Sequence, residues 1–260
     1  MKQFQLSATK RRVSFLISEC DFMIRFSDII FSLIGILILC PLLIPISILL
    51  LLTGEHKIFY KQTRIGKYRK TFELYKFATM LFDSPNLEGG DITSGNDPRV
   101  LPVGKFLRKT KINELPQLLN IFLGDISIVG PRPLTPRNFE YYDKETQDAI
   151  NKIKPGLTGV GSIVFRDEES IMHNSSKSPE ECYREDITPY KGELEKWFSQ
   201  NQSLYLYFSL ILLTAWVVFF PKSGIVWKVF SSLPTPPVKI QKLLNFPSDR
   251  SALLTGGWNT

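Results

Sequence analysis

Histidine is nearly absent: the 260 residues contain only His56 and His173. That scarcity argues against a histidine-centred triad and against a histidine-rich metal centre. Cysteine is also sparse. Cys20, Cys40 and Cys182 are widely spaced, odd in number and without a CxxC pair. This pattern argues against a disulfide framework or a zinc site and fits a reducing compartment. Charge is missing from one long stretch, since no Asp, Glu, Lys or Arg lies between Ile29 and Gly54.

What is present is a basic excess. Thirty-two Lys and Arg against 25 Asp and Glu give a net charge of +7, which implies an acidic partner. Nucleic acid, anionic lipid and phosphorylated substrates all qualify. The cations flank an apolar block rather than interleave with aromatics, which disfavours nucleic acid. Hydrophobic residues make up an ordinary 43%, but they concentrate in two blocks, and length allows one large domain or one domain plus an accessory piece.

The first block, IIFSLIGILILCPLLIPISILLLLTG, exceeds the roughly 20 apolar residues that span a bilayer as a helix. It is too long for a signal peptide and lacks a small-residue cleavage pattern. Pro41 and Pro45 predict a kink near its middle. Lys10, Arg11, Arg12 and Arg25 precede it, and Lys57, Lys61, Arg64 and Lys67 follow, so both ends read as cytoplasmic. A re-entrant hairpin in one leaflet reconciles charge with length, its freed carbonyls partnered by Ser32 or Ser47. A plain spanning helix with a proline kink is the alternative. The second block, SLYLYFSLILLTAWVVFF, sits at the lower limit for a span and is rich in interfacial aromatics. It is expected to lie on the membrane or pack on the hairpin, followed by a loosely ordered Pro-rich tail.

Between the blocks, residues 108–133, RKTKINELPQLLNIFLGDISIVGPRP, combine Arg108, Lys109, Lys111 and Arg132 with Glu114, Asp125 and three prolines. Asn113 is placed to cap a short helix opened by Glu114, with Pro116 in its first turn and Gly124 as its stop. A carboxylate at a helix start beside cations suits an anionic substrate and a divalent ion. Pro131 and Pro133 hold Arg132 on a stiff mount suited to phosphate. Asn113 as a mere cap and GPRP as a mere turn are the plainer readings. Upstream, residues 57–80 predict a β-hairpin turning near Gly66. Residues 83–98 form a polar, Gly-rich loop. Downstream, residues 139–153 predict a helix packed on the one opened by Glu114. PGLTG is followed by a strand, SIVF, ending at Arg166, and residues 167–200 predict a solvated helical stretch with Glu193 and Lys196 on adjacent turns.

Taken together, ELPQL followed by GD-S-VGPRP resembles the bacterial sugar transferase family, monotopic phosphoglycosyl transferases acting on polyprenyl phosphate. The likeness is dense from about Arg25 to Arg166. Arg25 and Asp28 match the polar residues opening the family's membrane helix, and Cys40-Pro41 stands where its re-entrant helix breaks at Ser-Pro. Gln62, Arg64, Gly66, Lys76 and Phe77 match FxQxRxGxxGKxFxxxKFRTM, with Ala78 replacing the second arginine. Asp97 and Arg99 match a D-x-R-[VI] step, and PGLTG matches PG-TG.

The resemblance implies an α+β fold. A re-entrant helix-break-helix anchor would carry a compact cytoplasmic catalytic domain rich in amphipathic helices with a small β element. The expected division is a lead-in at 1–24, the anchor at 25–54, the catalytic domain at 55–202, and an interfacial helix and tail at 203–260. The implied location is the cytoplasmic face of the bacterial inner membrane. The implied activity moves a sugar-1-phosphate from a UDP-sugar to undecaprenyl phosphate with Mg²⁺, releasing UMP and initiating a capsule, lipopolysaccharide or exopolysaccharide. Glu114 matches the metal-binding glutamate; Lys76, Arg108, Arg132 and Arg166 form the phosphate cradle. Partners are the two substrates and inner-membrane lipids, with a homodimer allowed and no nucleic acid.

One departure matters. The family carries an Asp-Glu pair before LPQ, with Asp as the nucleophile, and here the pair is Asn113-Glu114. An amide cannot make that attack. The catalytic set is therefore Asn113, Glu114 and Asp125. Direct attack by the lipid phosphate, attack by Glu114 or Asp125, and a nucleotide-sugar-binding scaffold without turnover all stay open.

Overall fold

The computed structural model describes residues 2–87 and 97–247, with side chains from residue 19 onward. Most of the expected polar loop at 83–98 and the end of the tail lie outside the described residues, as do the side chains of Lys10, Arg11 and Arg12.

In chain order the elements are α1 (Lys2–Leu52), β1 (Phe59–Ile65), β2 (Thr71–Phe77), α2 (Pro102–Lys109), α3 (Gln117–Leu123), β3 (Ser127–Val129), α4 (Pro136–Phe139), α5 (Lys144–Asn151), β4 (Gly156–Thr158), α6 (Val160–Val164), α7 (Glu168–His173), α8 (Pro179–Cys182), α9 (Thr188–Gln200), α10 (Leu204–Phe219), α11 (Ile225–Val229) and α12 (Val238–Gln241). A π-helical turn, Tyr183–Ile187, links α8 to α9. Helices with two small two-stranded sheets make the fold α+β.

The stretch Glu19–Leu52 of α1 is 34 residues long, and its most apolar window has a mean hydropathy of 2.9. Helical assignment runs through Pro41 and Pro45 without the expected interruption. A proline bend can be absorbed inside one continuous helix. The two prolines free the carbonyls of Leu37 and Pro41. Neither serine reaches them: Ser32 Oγ donates to the Ile29 carbonyl at 3.2 Å and Ser47 Oγ to the Leu43 carbonyl at 2.8 Å. Leu37 and Ile38 are 65% and 71% exposed, the face a lipid would cover.

Contacts bind α1 to the rest of the molecule along its length. Arg25 donates to the carbonyls of Ile121 and Phe122 at 2.6 and 2.7 Å. Ile46 and Leu50, near the other end, are buried with Phe77 and Leu107. Asp28 is buried, accepting from Ser127 Oγ (3.0 Å), the Ile128 N–H (2.9 Å) and Tyr207 Oη (2.7 Å).

The predicted hairpin is present: β1 pairs antiparallel with β2, Tyr60 opposite Lys76, and the chain turns from Gly66 to Lys70. Beyond α3, β3 and β4 pair in parallel, Ser127 opposite Gly156 and Val129 opposite Thr158. A Cβ on Gly156 would lie 2.0 Å from the Gly130 nitrogen, so only glycine lets PGLTG press against VGPRP. That approach brings the segments of Arg132 and Arg166 together. Asp97 and Arg99 form a buried ion pair at 2.5 Å, and Arg99 also donates to the Ser84 carbonyl.

Three expectations need correction. The SIVF segment is helix, not strand, because Val160, Ile163 and Val164 bury themselves at helical spacing. Tertiary burial outweighs β-propensity there. Residues 139–153 hold the last residue of α4 and the whole of α5, and α5 packs on α9 rather than on α3. Residues 167–200 are not simply solvated: Glu193 and Lys196 do pair at 2.7 Å, but Lys191 and Glu195 on the same helix are 1% and 3% exposed.

The second apolar block also sits deeper than expected. At 16 residues, α10 is shorter than a bilayer core needs. It buries Leu206, Tyr207, Leu210, Leu213 and Val217 in the main core, and its Phe208 meets Phe31 of α1 edge-on. The tail up to residue 247 is part of that core too, through Trp227, Leu233, Ile240, Leu244 and Phe246. Apolar spacing within the Pro-rich stretch supplies those anchors.

Candidate active site

A cavity of about 460 Å³ opens where β1, β2, α2, the turn before α3, and the β3 and β4 segments converge. Seven basic side chains line it (Arg64, Lys76, Arg108, Lys111, Arg132, Arg166 and Lys191) against three acidic ones, Glu114, Glu168 and Glu169. The imbalance makes it a receptor for anions.

The chain reaches this cavity by a tight local route. After α2, Lys111 adopts a left-handed conformation, φ 60°, that swings Ile112–Glu114 into a 3₁₀ turn. Pro116 then leads into α3, which stops at Gly124 with φ 97°, as its sequence predicts. Asn113 does not cap that helix. The 3₁₀ turn intervenes, and the Asn113 side chain is buried in the cavity wall with Oδ1 lacking any hydrogen-bond partner in the structure.

Glu114 sits 3.4 Å from Arg132. Burial would raise its pKa, but Arg132, Lys76 and Lys111 outweigh that and hold it down at about 2. It is a carboxylate at any ordinary pH. Arg132 is braced as expected: Pro131 and Pro133 flank it, and Arg64 donates to the Pro133 carbonyl at 2.9 Å. Lys76, on β2, is pushed down to about 7, chiefly by burial and then by Arg64, with Glu114 opposing.

Six of the seven predicted site residues, Lys76, Arg108, Asn113, Glu114, Arg132 and Arg166, line the one cavity. Asp125 does not. Its carboxylate accepts from Asn120 Nδ2 at 3.0 Å, and Asn120 in turn bonds the backbone of β2, so Asp125 braces α3 against the hairpin. Sequence reasoning missed Glu168, Glu169 and Lys191. Arg108 pairs with Glu169 at 3.3 Å and Lys191 with Glu168 at 2.5 Å. Glu195, one turn from Lys191, is driven up to about 7 by burial. No local motif marks these residues, which lie in or beyond α7 and meet the cavity only through tertiary packing.

Among the described residues, Lys76, Lys111 and Arg166 form no ion pair. Lys76 and Lys111 act on Glu114 through their charge, and Arg166 lines the same cavity. Those residues contain no group of three or more His, Cys, Asp or Glu able to hold a metal unaided. Mg²⁺ needs less protein than that, since one or two carboxylates with substrate phosphates and water suffice. Ionised Glu114 and the unpartnered Oδ1 of Asn113 are the oxygens that could hold such an ion.

A helix long and apolar enough to cross a membrane, in a chain that also builds a cation-rich cavity, points to a membrane-associated protein. The chain belongs to the bacterial sugar transferase family, whose sequence profile matches residues 20–221, and is an enzyme of the phosphoglycosyl transferase class. It is 36% identical over 153 residues to "Exopolysaccharide production protein PSS" of Rhizobium leguminosarum bv. phaseoli, covering 54% of this chain and 72% of that protein. Over 206 residues it is 31% identical to the UDP-glucose:undecaprenyl-phosphate glucose-1-phosphate transferase of Klebsiella pneumoniae, covering 77% and 41%. Over 145 residues it is 33% identical to the UDP-N-acetylgalactosamine-undecaprenyl-phosphate N-acetylgalactosaminephosphotransferase of Aeromonas hydrophila, covering 55% and 34%. The last two relatives are much longer than this chain, and their sugars differ.

Proposed function

We propose that this chain transfers a sugar-1-phosphate from a UDP-sugar to undecaprenyl phosphate at the cytoplasmic face of the bacterial inner membrane, starting a lipid-linked surface glycan. The observation that carries the reading is one cavity in which Lys76, Lys111 and Arg166, none of them ion-paired among the described residues, share the wall with the Glu114–Arg132 pair. Two phosphorylated substrates must meet there, and free cations offset their mutual repulsion.

An oxygen of the lipid phosphate attacks the sugar-bearing phosphorus of the UDP-sugar. The bond from that phosphorus to the bridging oxygen breaks, and UMP leaves with the electron pair. Direct attack is favoured because the cavity supplies no unengaged carboxylate: Glu114 pairs with Arg132, Glu168 with Lys191 and Glu169 with Arg108. Asn113 is an amide and Asp125 lies elsewhere. Glu114 and Asn113 would hold Mg²⁺, and the ion would supply charge neutralisation for the departing phosphate. Lys76, Lys111 and Arg166 bind phosphate oxygens, and Arg132 orients Glu114.

Incubation of the detergent-purified protein with UDP-sugars, undecaprenyl phosphate and Mg²⁺ should release UMP only when the lipid is present. Binding of UDP-sugar without release, combined with turnover by Asn113→Asp, would instead identify a scaffold.

The re-entrant, monotopic anchor belongs to the same proposal. Arg25 and Leu50, from opposite ends of the apolar run, both touch the body that holds the cavity. Single cysteines at positions 20 and 57 should react with a membrane-impermeant reagent from the cytoplasmic side alone. Reaction from opposite sides would remove the re-entrant anchor.

Lys76 gives a pH dependence. Its ammonium is fully protonated only below about 7, whereas a UDP-sugar's diphosphate stays ionised. Affinity measured without divalent ion should therefore weaken as pH rises from about 6 to about 8. Lys76→Arg should flatten that slope; an unchanged slope would show that Lys76 does not meet the diphosphate.

A further inference from the structure

A second cavity, of about 250 Å³, lies at the C-terminal end of α1. Leu50, Ala78, Met80, Leu101 and Val103 supply its apolar wall. Its three polar side chains are already engaged. Thr53 Oγ1 donates to the Leu49 carbonyl, Glu55 accepts from the Phe82 N–H, and Lys57 Nζ lies 3.2 Å from the Phe82 ring centre. A sugar or nucleotide would find little to recognise there. Ala78 keeps the wall thin where the family pattern carries arginine.

Position gives the pocket its meaning. Arg108 lines the cationic cavity and donates to Sδ of Met80, a wall residue of the apolar one, at 3.5 Å. One side-chain contact thus separates the cationic cavity from the apolar one. On the other side, Leu51 and Leu52 of α1 are 48% and 71% exposed, continuing the apolar surface outward.

We infer that this pocket holds the first isoprene units of the polyprenyl phosphate acceptor, with the phosphate passing Arg108 into the cationic cavity. The inference rests on the lipid-acceptor reading above. An acyl chain of bulk phospholipid would match the wall equally, but its head group has no reason to enter the reacting cavity. The link through Arg108 favours a lipid whose phosphate must.

The full-length protein in nanodiscs is incubated with a polyprenyl phosphate bearing a diazirine on the isoprene nearest the phosphate, irradiated and mapped by peptide mass. Cross-links are expected at residues 78–80 and 101–103, competed by undecaprenyl phosphate and not by phosphatidylglycerol. Cross-links confined to the exposed face around Leu37 and Ile38, or equal competition by phosphatidylglycerol, would overturn the assignment. Because this readout needs no turnover, an inactive protein that cross-links here would sink the transferase reading and leave the pocket standing. In the active protein, Ala78→Phe should raise KM for undecaprenyl phosphate about tenfold by displacing buried methylenes, with KM for the UDP-sugar unchanged. No rise, or an equal rise for both substrates, would also count against it.

Discussion

Glu114→Gln should lower UMP release by on the order of 10³-fold, the scale for losing one preorganised electrostatic contributor, here the anionic ligand that would hold Mg²⁺ at the reacting phosphate. Glu114 is the carboxylate facing Arg132, Lys76 and Lys111, and those cations keep it ionised. The amide keeps its shape and removes its charge. Arg132 then loses its counter-charge and no carboxylate repels the diphosphate, so metal-free binding of UDP-sugar, measured at acid pH where Lys76 is protonated, should hold or tighten while turnover collapses. That split separates a catalytic role from a folding defect, which would weaken binding too. Activity within about threefold of the unsubstituted enzyme would remove Glu114 from the chemistry.

Asp28→Ala should cost about 3 kcal/mol of stability or more, read as a lower thermal midpoint in detergent. The residue is 1% exposed and receives hydrogen bonds from β3 and from Tyr207 of α10. Truncation leaves three donors facing a dry void, each costing roughly 1–3 kcal/mol if it finds no substitute. Asp28→Asn keeps one acceptor oxygen and should lose less. An unchanged midpoint for the alanine variant would mean that α1 is not fastened to the core through this carboxylate. If fastening fails, turnover with the lipid substrate should fall even where folding survives, because the anchor no longer sits in register with the cavity.

Features written in short, local signals were legible in the sequence. The hairpin about Gly66, the stop at Gly124 and the mount of Arg132 each follow from one or two residues with distinctive backbones, permissive in glycine and locked in proline. The uncharged run gave the membrane helix directly. Legibility failed where packing decides. Val160, Ile163 and Val164 favour strand by type, yet a buried face at helical spacing makes them α6. Asn113 has a good capping residue's chemistry, but left-handed Lys111 redirects the turn and sends it into the cavity wall. The ion pairs of Glu168 and Glu169 join residues 23 and 61 positions apart, a pairing that no local pattern announces. The Pro-rich tail looked loose because its anchors, Leu233, Ile240, Leu244 and Phe246, are scattered among residues that favour turns.

The most direct test of a phosphosugar transfer follows the phosphorus itself. A UDP-sugar labelled with ³²P on the sugar-bearing phosphate and ¹⁴C in the sugar is incubated with the enzyme, Mg²⁺ and undecaprenyl phosphate, and the lipid is extracted. Both labels should enter the lipid one for one, matched by UMP in the aqueous phase. Entry of ¹⁴C without ³²P, with UDP as the nucleotide product, would contradict the account.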